Sequence, residues 1–148
     1  MIYNEKRGDI FELDTNWVLG HCISADYKMG KGIALEFNEH FNMKYQLIKD
    51  GRHKFPAVVG FDNLGKNKDQ VVFNIVTKEK FRDKPTYSNF RKSIELLKED
   101  LIDYNFKRIA LPKIGTGLDG LKWATVKRHI HEVFEDTDIE ILIIDKNM

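Results

Sequence analysis

Apolar residues recur along this chain with two periods, and the two kinds of stretch alternate. Ile2 and Tyr3 open an edge strand, and Gly8-Asp9 signals a turn before Ile10-Phe11-Glu12-Leu13. Trp17-Val18-Leu19-Gly20-His21-Cys22-Ile23 is mostly apolar, as a strand buried on both faces should be. A polar stretch, Ser24 to Lys31, separates it from a helix running from Ile33 to His40 or Phe41. A second helical piece covers Lys44 to Lys49, ahead of a turn at Asp50-Gly51. Ala57-Val58-Val59-Gly60-Phe61 and Val71-Val72-Phe73-Asn74-Ile75-Val76 read as two strands, with hairpin-turn chemistry over 62–67 between them.

After a charged loop, Thr77 to Lys84, Pro85-Thr86 announces a helix capped by Thr86 or Ser88. Phe90, Ile94, Leu97, Leu101 and Tyr104 follow at helical steps and define one buried face. Ile109-Ala110-Leu111 is a short strand. Trp123, Val126, Ile130, Val133 and Phe134 form the stripe of the last helix, and Ile139 with Ile141-Leu142-Ile143-Ile144 closes the chain as a strand. The order β-β-α-β-β-α-β-α-β predicts an α/β layered fold, with a mixed sheet and helices on both faces. No repeat, linker or second domain interrupts it, so residues 1–148 are expected to form one domain. Three polar or glycine-rich loops, 24–32, 77–84 and 112–120, follow predicted strands. If those strands are parallel, all three loops share the rim where such sheets bind ligands.

Composition narrows the class. The chain is 42% hydrophobic and 32% charged, which suits a soluble globular protein. A net charge of +1 supplies no overall field to recruit nucleic acid or membrane. The single cysteine, Cys22, excludes an internal disulfide and suits a reducing compartment. With no signal-peptide pattern at the start and no run approaching the ~20 apolar residues of a membrane span, a cytoplasmic monomer without a membrane partner is expected.

Candidate chemistry concentrates on the three loops. Pro112-Lys113-Ile114-Gly115-Thr116-Gly117-Leu118-Asp119-Gly120 is a strand-to-helix glycine loop, and its amides can hold an anion such as a phosphate. Asp119 adds nothing to a phosphate cradle, so its place there is either acid–base work or helix capping. Met29-Gly30-Lys31-Gly32 leads into a helix and is a second candidate phosphate site, or a structural turn. Lys78 ends a central strand; it is either the first solvated residue or a nucleophile, which requires a neutral amine. Lys80, Arg82 and Lys84 read as a solvated charge run or as part of the same site. His21 and Cys22 are adjacent on a strand and point to opposite faces, so they form no dyad, and Cys22 reads as a small buried filler. Ser24 and Asp26 are ligand contacts or turn residues. His129 and His131 diverge on their helix, and His40 and His53 stand alone, so neither a metal site nor any cofactor is expected.

Four segments, in order, resemble the macrodomain, an ADP-ribose-binding module. They are Gly8-Asp9-Ile10-Phe11; Gly20-His21-Cys22-Ile23-Ser24 with Met29-Gly30-Lys31-Gly32-Ile33-Ala34; Val76-Thr77-Lys78 with Lys84-Pro85-Thr86-Tyr87; and 111–119. The last three are similar to the branch that includes the terminal ADP-ribose protein glycohydrolase, with the ADP-ribose 1''-phosphate phosphatase and the DNA-de-ADP-ribosylating macrodomains as relatives. The resemblance implies a three-layer αβα sandwich around a mixed sheet. It implies that Asp9 and Ile10 meet the adenine, and that Cys22, Ile23, Ser24 and Thr77 border the ligand. Met29, Gly30, Gly32, Ile33 and Ala34 would line the diphosphate on one side. Pro112, Lys113, Ile114, Gly115, Thr116, Gly117 and Leu118 would wrap the diphosphate and distal ribose from the other.

Lys78 and Asp119 match the branch's catalytic lysine and aspartate. The resemblance thus implies release of ADP-ribose from acidic residues, or deacetylation of O-acetyl-ADP-ribose, through a lysyl-ADP-ribose intermediate. A 1''-phosphate phosphatase, a DNA ADP-ribosyl hydrolase and a non-catalytic ADP-ribose reader remain as alternatives. His21-Cys22 stands where the larger hydrolytic group has paired asparagines, which argues against that group's mechanism. Loop 24–29 and the insert 62–69 have no counterpart in the resemblance, and both are placed to shape what lies beyond the distal ribose.

Overall fold

The computed structural model describes residues 1–51 and 54–148; His53 lies outside the described residues. Its six strands are β1 (Ile2–Arg7), β2 (Val18–Ser24), β3 (Ala57–Leu64), β4 (Gln70–Lys78), β5 (Arg108–Leu111) and β6 (Glu140–Asp145). Its four helices are α1 (Gly32–Phe41), α2 (Met43–Asp50), α3 (Tyr87–Asp103) and α4 (Trp123–Phe134). The strands form one sheet in the order β1-β6-β5-β2-β4-β3. Every pairing is parallel except β3 with β4. The sheet is therefore mixed, with β1 on one edge as its sequence suggests.

Strand alternation sorts the core into two layers. Ala110, Leu142 and Ile144 face one side, with Phe37, Met43 and Leu47 of α1 and α2. Ile109, Leu111, Ile141 and Ile143 face the other, with Phe90, Ile94, Leu97 and Leu101 of α3 and Val126, Ile130 and Phe134 of α4. The result is the three-layer αβα sandwich. Thr86 caps α3 by accepting from the Asn89 amide at 3.1 Å. Gly20 lets β2 approach β5 closely: a Cβ there would sit 2.7 Å from Leu111 Cδ2.

Three details differ from expectation, and one stretch without a predicted element forms one. Ile10–Glu12 is a short 3-10 turn, because Asp9 caps it by accepting from the Phe11 amide. Strand β3 runs on to Leu64, so the reversal falls after it, where Gly65 and Lys68 take positive φ. Thr77 and Lys78 belong to β4 rather than to the loop after it. Tyr104 is 69% exposed: it is the C-cap of α3, has left helical geometry and no longer follows the stripe.

Candidate active site on the parallel-strand rim

Because β1, β2, β4, β5 and β6 run parallel, the segments after them meet at one end of the sheet. There they enclose a cavity of about 560 Å³, within the size range of small-molecule sites. Its lining holds a part-buried ion pair. Lys78, the last residue of β4, donates from Nζ to Asp119 Oδ1 at 2.6 Å, and the two side chains are 9% and 15% exposed. A register shift between Ile23 and Ser24 brings Ser24 opposite Lys78, and the Lys78 carbonyl accepts from the Ala25 amide. The lysine backbone is thus fixed from the neighbouring strand.

Asp119 rides on the loop after β5. That loop is closed by its own bonds: Thr116 Oγ1 donates to the Lys113 carbonyl at 2.7 Å, and the Leu121 amide to the Gly115 carbonyl at 2.8 Å. Gly115 has φ +76°, and a Cβ on it would sit 3.0 Å from Leu121 Cδ1, so glycine is required there. Also on the cavity lining, α1 begins at Gly32 (φ +62°), and its N-cap Lys31 makes no side-chain cap. The first amides of α1 therefore lack a capping side chain, the arrangement that receives an anion.

Asp26 ties two loops together. Its carboxylate accepts from Ser24 Oγ at 2.6 Å, the Phe81 amide at 2.9 Å and the Lys28 amide at 3.3 Å. Burial pushes this carboxyl up, but the Ser24 and Phe81 hydrogen bonds outweigh it and hold it below its ordinary value. Phe81 is thereby placed with its ring centroid 5.5 Å from Lys78 Nζ.

At the opposite end, Asp9 spends Oδ1 on its turn and has Lys146 Nζ 3.6 Å from Oδ2. Lys146 also reaches Glu36 of α1 at 3.3 Å.

Most residues singled out in the sequence line this cavity. They include Asp9 and Ile10, Cys22 to Ser24, Met29, Gly32 to Ala34, Lys78 and the whole stretch Pro112 to Asp119. Gly30 and Thr77 do not. Gly30 is exposed. Thr77 is 1% exposed and is the residue of β4 left without a partner in β2 at the register shift. The Cys22 thiol is pushed well up by burial and by Asp119, against Lys78, so it stays protonated rather than nucleophilic. His21 faces away: it is buried, stacks on Phe37 at 3.9 Å and bonds Asn74 Oδ1 at 2.6 Å through Nε2. Burial brings its pKa down to about 4. Among the described residues, no three His, Cys, Asp or Glu side chains gather as metal ligands.

Sequence reasoning missed Glu36, Phe81 and the tail Asp145-Lys146-Asn147, all of which line the cavity. The only available signal was the position of the tail, immediately after a parallel strand.

This mixed sheet flanked by helices, with a cavity on the rim of the parallel strands, has the fold of known macrodomains. The chain matches the macrodomain of Mycobacterium tuberculosis DarG with a TM-score of 0.86 over 97% of both chains, at 23% identity. In sequence it is 35% identical over 137 residues to human ADP-ribose glycohydrolase OARD1, covering 93% of this chain and 87% of the human protein. It is 27% identical over 133 residues to the DNA ADP-ribosyl glycohydrolase of Thermus aquaticus, covering 87% of this chain but 37% of that protein. No family model matches. The chain belongs to the macrodomain family, in the branch of these glycohydrolases.

Proposed function

We propose that this protein is an ADP-ribosyl hydrolase that releases ADP-ribose from ester-linked acceptors, acidic residues in particular, with Lys78 as nucleophile and Asp119 as proton carrier. The observation that carries this reading is the 2.6 Å Lys78–Asp119 contact in a cavity that is also lined by an uncapped helix N-terminus. The similarity to human ADP-ribose glycohydrolase OARD1 supports it. A reader of ADP-ribose needs the cradle alone and has no use for a part-buried lysine–aspartate pair.

The chemistry balances with these two side chains and water. Moving the shared proton from Lys78 to Asp119 turns an ion pair into an amine and an acid. The amine lone pair forms a bond to the anomeric carbon of the distal ribose. The bond from that carbon to the ester oxygen breaks, and the acceptor carboxylate departs with the bonding pair and with the proton that the nitrogen sheds. Water then adds to the same carbon. Asp119 takes a proton from the water and gives its own to the nitrogen, the carbon–nitrogen bond breaks, and ADP-ribose leaves. Splitting one displacement into two is covalent catalysis with a general acid–base partner. An acetyl ester on the anomeric oxygen of the distal ribose presents the same bond with a smaller acceptor, so turnover of that form of O-acetyl-ADP-ribose belongs to the same reading.

The test is a substrate panel of glutamate-ADP-ribosylated protein, ADP-ribosyl-thymidine DNA, O-acetyl-ADP-ribose and ADP-ribose 1''-phosphate. Release of ADP-ribose from the glutamyl ester is expected. Lys78→Ala should abolish that release while ADP-ribose still binds by calorimetry. Phosphate release alone would make the protein a phosphatase, and turnover of DNA alone a DNA hydrolase. Binding without turnover of anything would make it a reader.

A further inference from the structure

Phe81 has a second side. Behind it lies a smaller groove of about 190 Å³, walled by Asp26, Lys28, Lys80, Phe81 and Arg82. The groove adjoins the main cavity, because Phe81 lines both. Its position relative to the chemistry is fixed: the Phe81 amide is held by Asp26 at 2.9 Å, and the ring stands 5.5 Å from Lys78 Nζ. Whatever is attached to the distal ribose beyond the scissile bond must leave the cavity near Lys78, and this groove lies beside that exit.

We infer that the groove behind Phe81 is an acceptor subsite, which takes the carboxylate side chains of an acidic polypeptide segment flanking the modified residue. This inference rests on the hydrolase reading. Lys28, Lys80 and Arg82 are exposed, and none forms an ion pair among the described residues. The one acid in the groove, Asp26, is already engaged by Ser24, Lys28 and Phe81 through its oxygens. Three residues with unpaired cationic side chains therefore border a volume suited to one or two short side chains.

A nucleic-acid strand is matched less well. It asks for a continuous basic track, whereas Glu79 and Asp83 interrupt the cations of this segment and the chain carries a net charge of only +1. Exposed ion pairs are individually weak, so the subsite acts on selectivity among acceptors rather than on the bond-breaking step.

The experiment compares wild type with the triple variant Lys28→Ala/Lys80→Ala/Arg82→Ala on three substrates. These are an ADP-ribosyl-glutamate peptide with acidic flanks, the same peptide with neutral flanks, and O-acetyl-ADP-ribose. In wild type, the acidic flanks should raise kcat/KM about tenfold at low salt, and the gain should shrink as ionic strength rises. The triple variant should lose that gain and leave both other substrates unchanged. Equal losses on all three substrates, or no preference for acidic flanks in wild type, would overturn the inference. So would a loss in the triple variant that falls only on an ADP-ribosylated single-stranded oligonucleotide, assayed as a fourth substrate. Should wild type turn over none of these esters, the hydrolase reading fails by itself. The subsite is then judged by binding: the acid-flanked peptide must bind more tightly than free ADP-ribose, and the triple variant must abolish the difference.

Discussion

The two ends of the cavity are built in opposite ways. At one end, Lys78 and Asp119 are 9% and 15% exposed and meet at 2.6 Å. At the other, Lys146, Glu36 and Asp9 are 55%, 41% and 29% exposed, with contacts of 3.3 and 3.6 Å. Water and salt weaken the second cluster and reach the first far less. The buried end is suited to chemistry, where a proton must move between two groups and the surroundings must stay fixed. The exposed end is suited to recognition, where ligand groups exchange with water and with side chains that let go easily. Rigidity follows the same division. Lys78 is anchored by strand pairing and Asp119 by a self-bonded glycine loop, whereas Lys146 lies on the tail after β6.

Four perturbations test that contrast, the largest first. Asp119→Asn keeps a hydrogen-bond acceptor beside Lys78 but cannot carry the proton. A fall in kcat of about 10²- to 10⁴-fold is expected, with ADP-ribose affinity little changed; single-turnover kinetics and calorimetry would separate the two effects. The second concerns the core behind the cavity. His21 is neutral in its stack, with its pKa lowered from 6.5 to about 4. The unfolded chain therefore binds the proton first as pH falls. Its contribution, on the order of 3 kcal/mol, is complete above about pH 6.5 and is lost progressively down to pH 4. Denaturant unfolding at pH 7 and pH 5 should show that loss, and His21→Asn should flatten the dependence.

Third, Gly20→Ala pushes a Cβ to 2.7 Å from Leu111 Cδ2 between β2 and β5. It should cost about 1–3 kcal/mol of stability in urea titrations. Last, Lys146→Ala should shift the ADP-ribose Kd by less than about fivefold, with kcat unchanged. A hundredfold change there would mean that the exposed end is as tightly built as the buried one, and the contrast would fall.

Much of this was readable from the sequence, for identifiable reasons. The alternation of apolar runs and helical stripes gave the layers, and parallel strands forced the three loops onto one rim. Lys78 and Asp119 were picked out by their family resemblance together with their positions after strands. What escaped notice depends on contacts between distant segments. Glu36 and Lys146 meet only because α1 crosses the end of β6, and Phe81 enters the cavity only because Asp26 holds its amide. Tyr104 kept the helical spacing after the helix had ended, and Thr77, buried at the register shift between β4 and β2, does not reach the cavity lining. Periodicity gives the face of an element but not where the element stops.

The central claim is that Lys78 bonds to the anomeric carbon. It can be tested by incubating the protein with glutamate-ADP-ribosylated substrate in the presence of a borohydride reductant, then digesting and mapping the adduct by mass spectrometry. An ADP-ribose-derived mass on Lys78, absent in Lys78→Ala, is the expected result. A protein that turns over the ester fully with Lys78 replaced by alanine, and that carries no adduct at that position, would contradict it.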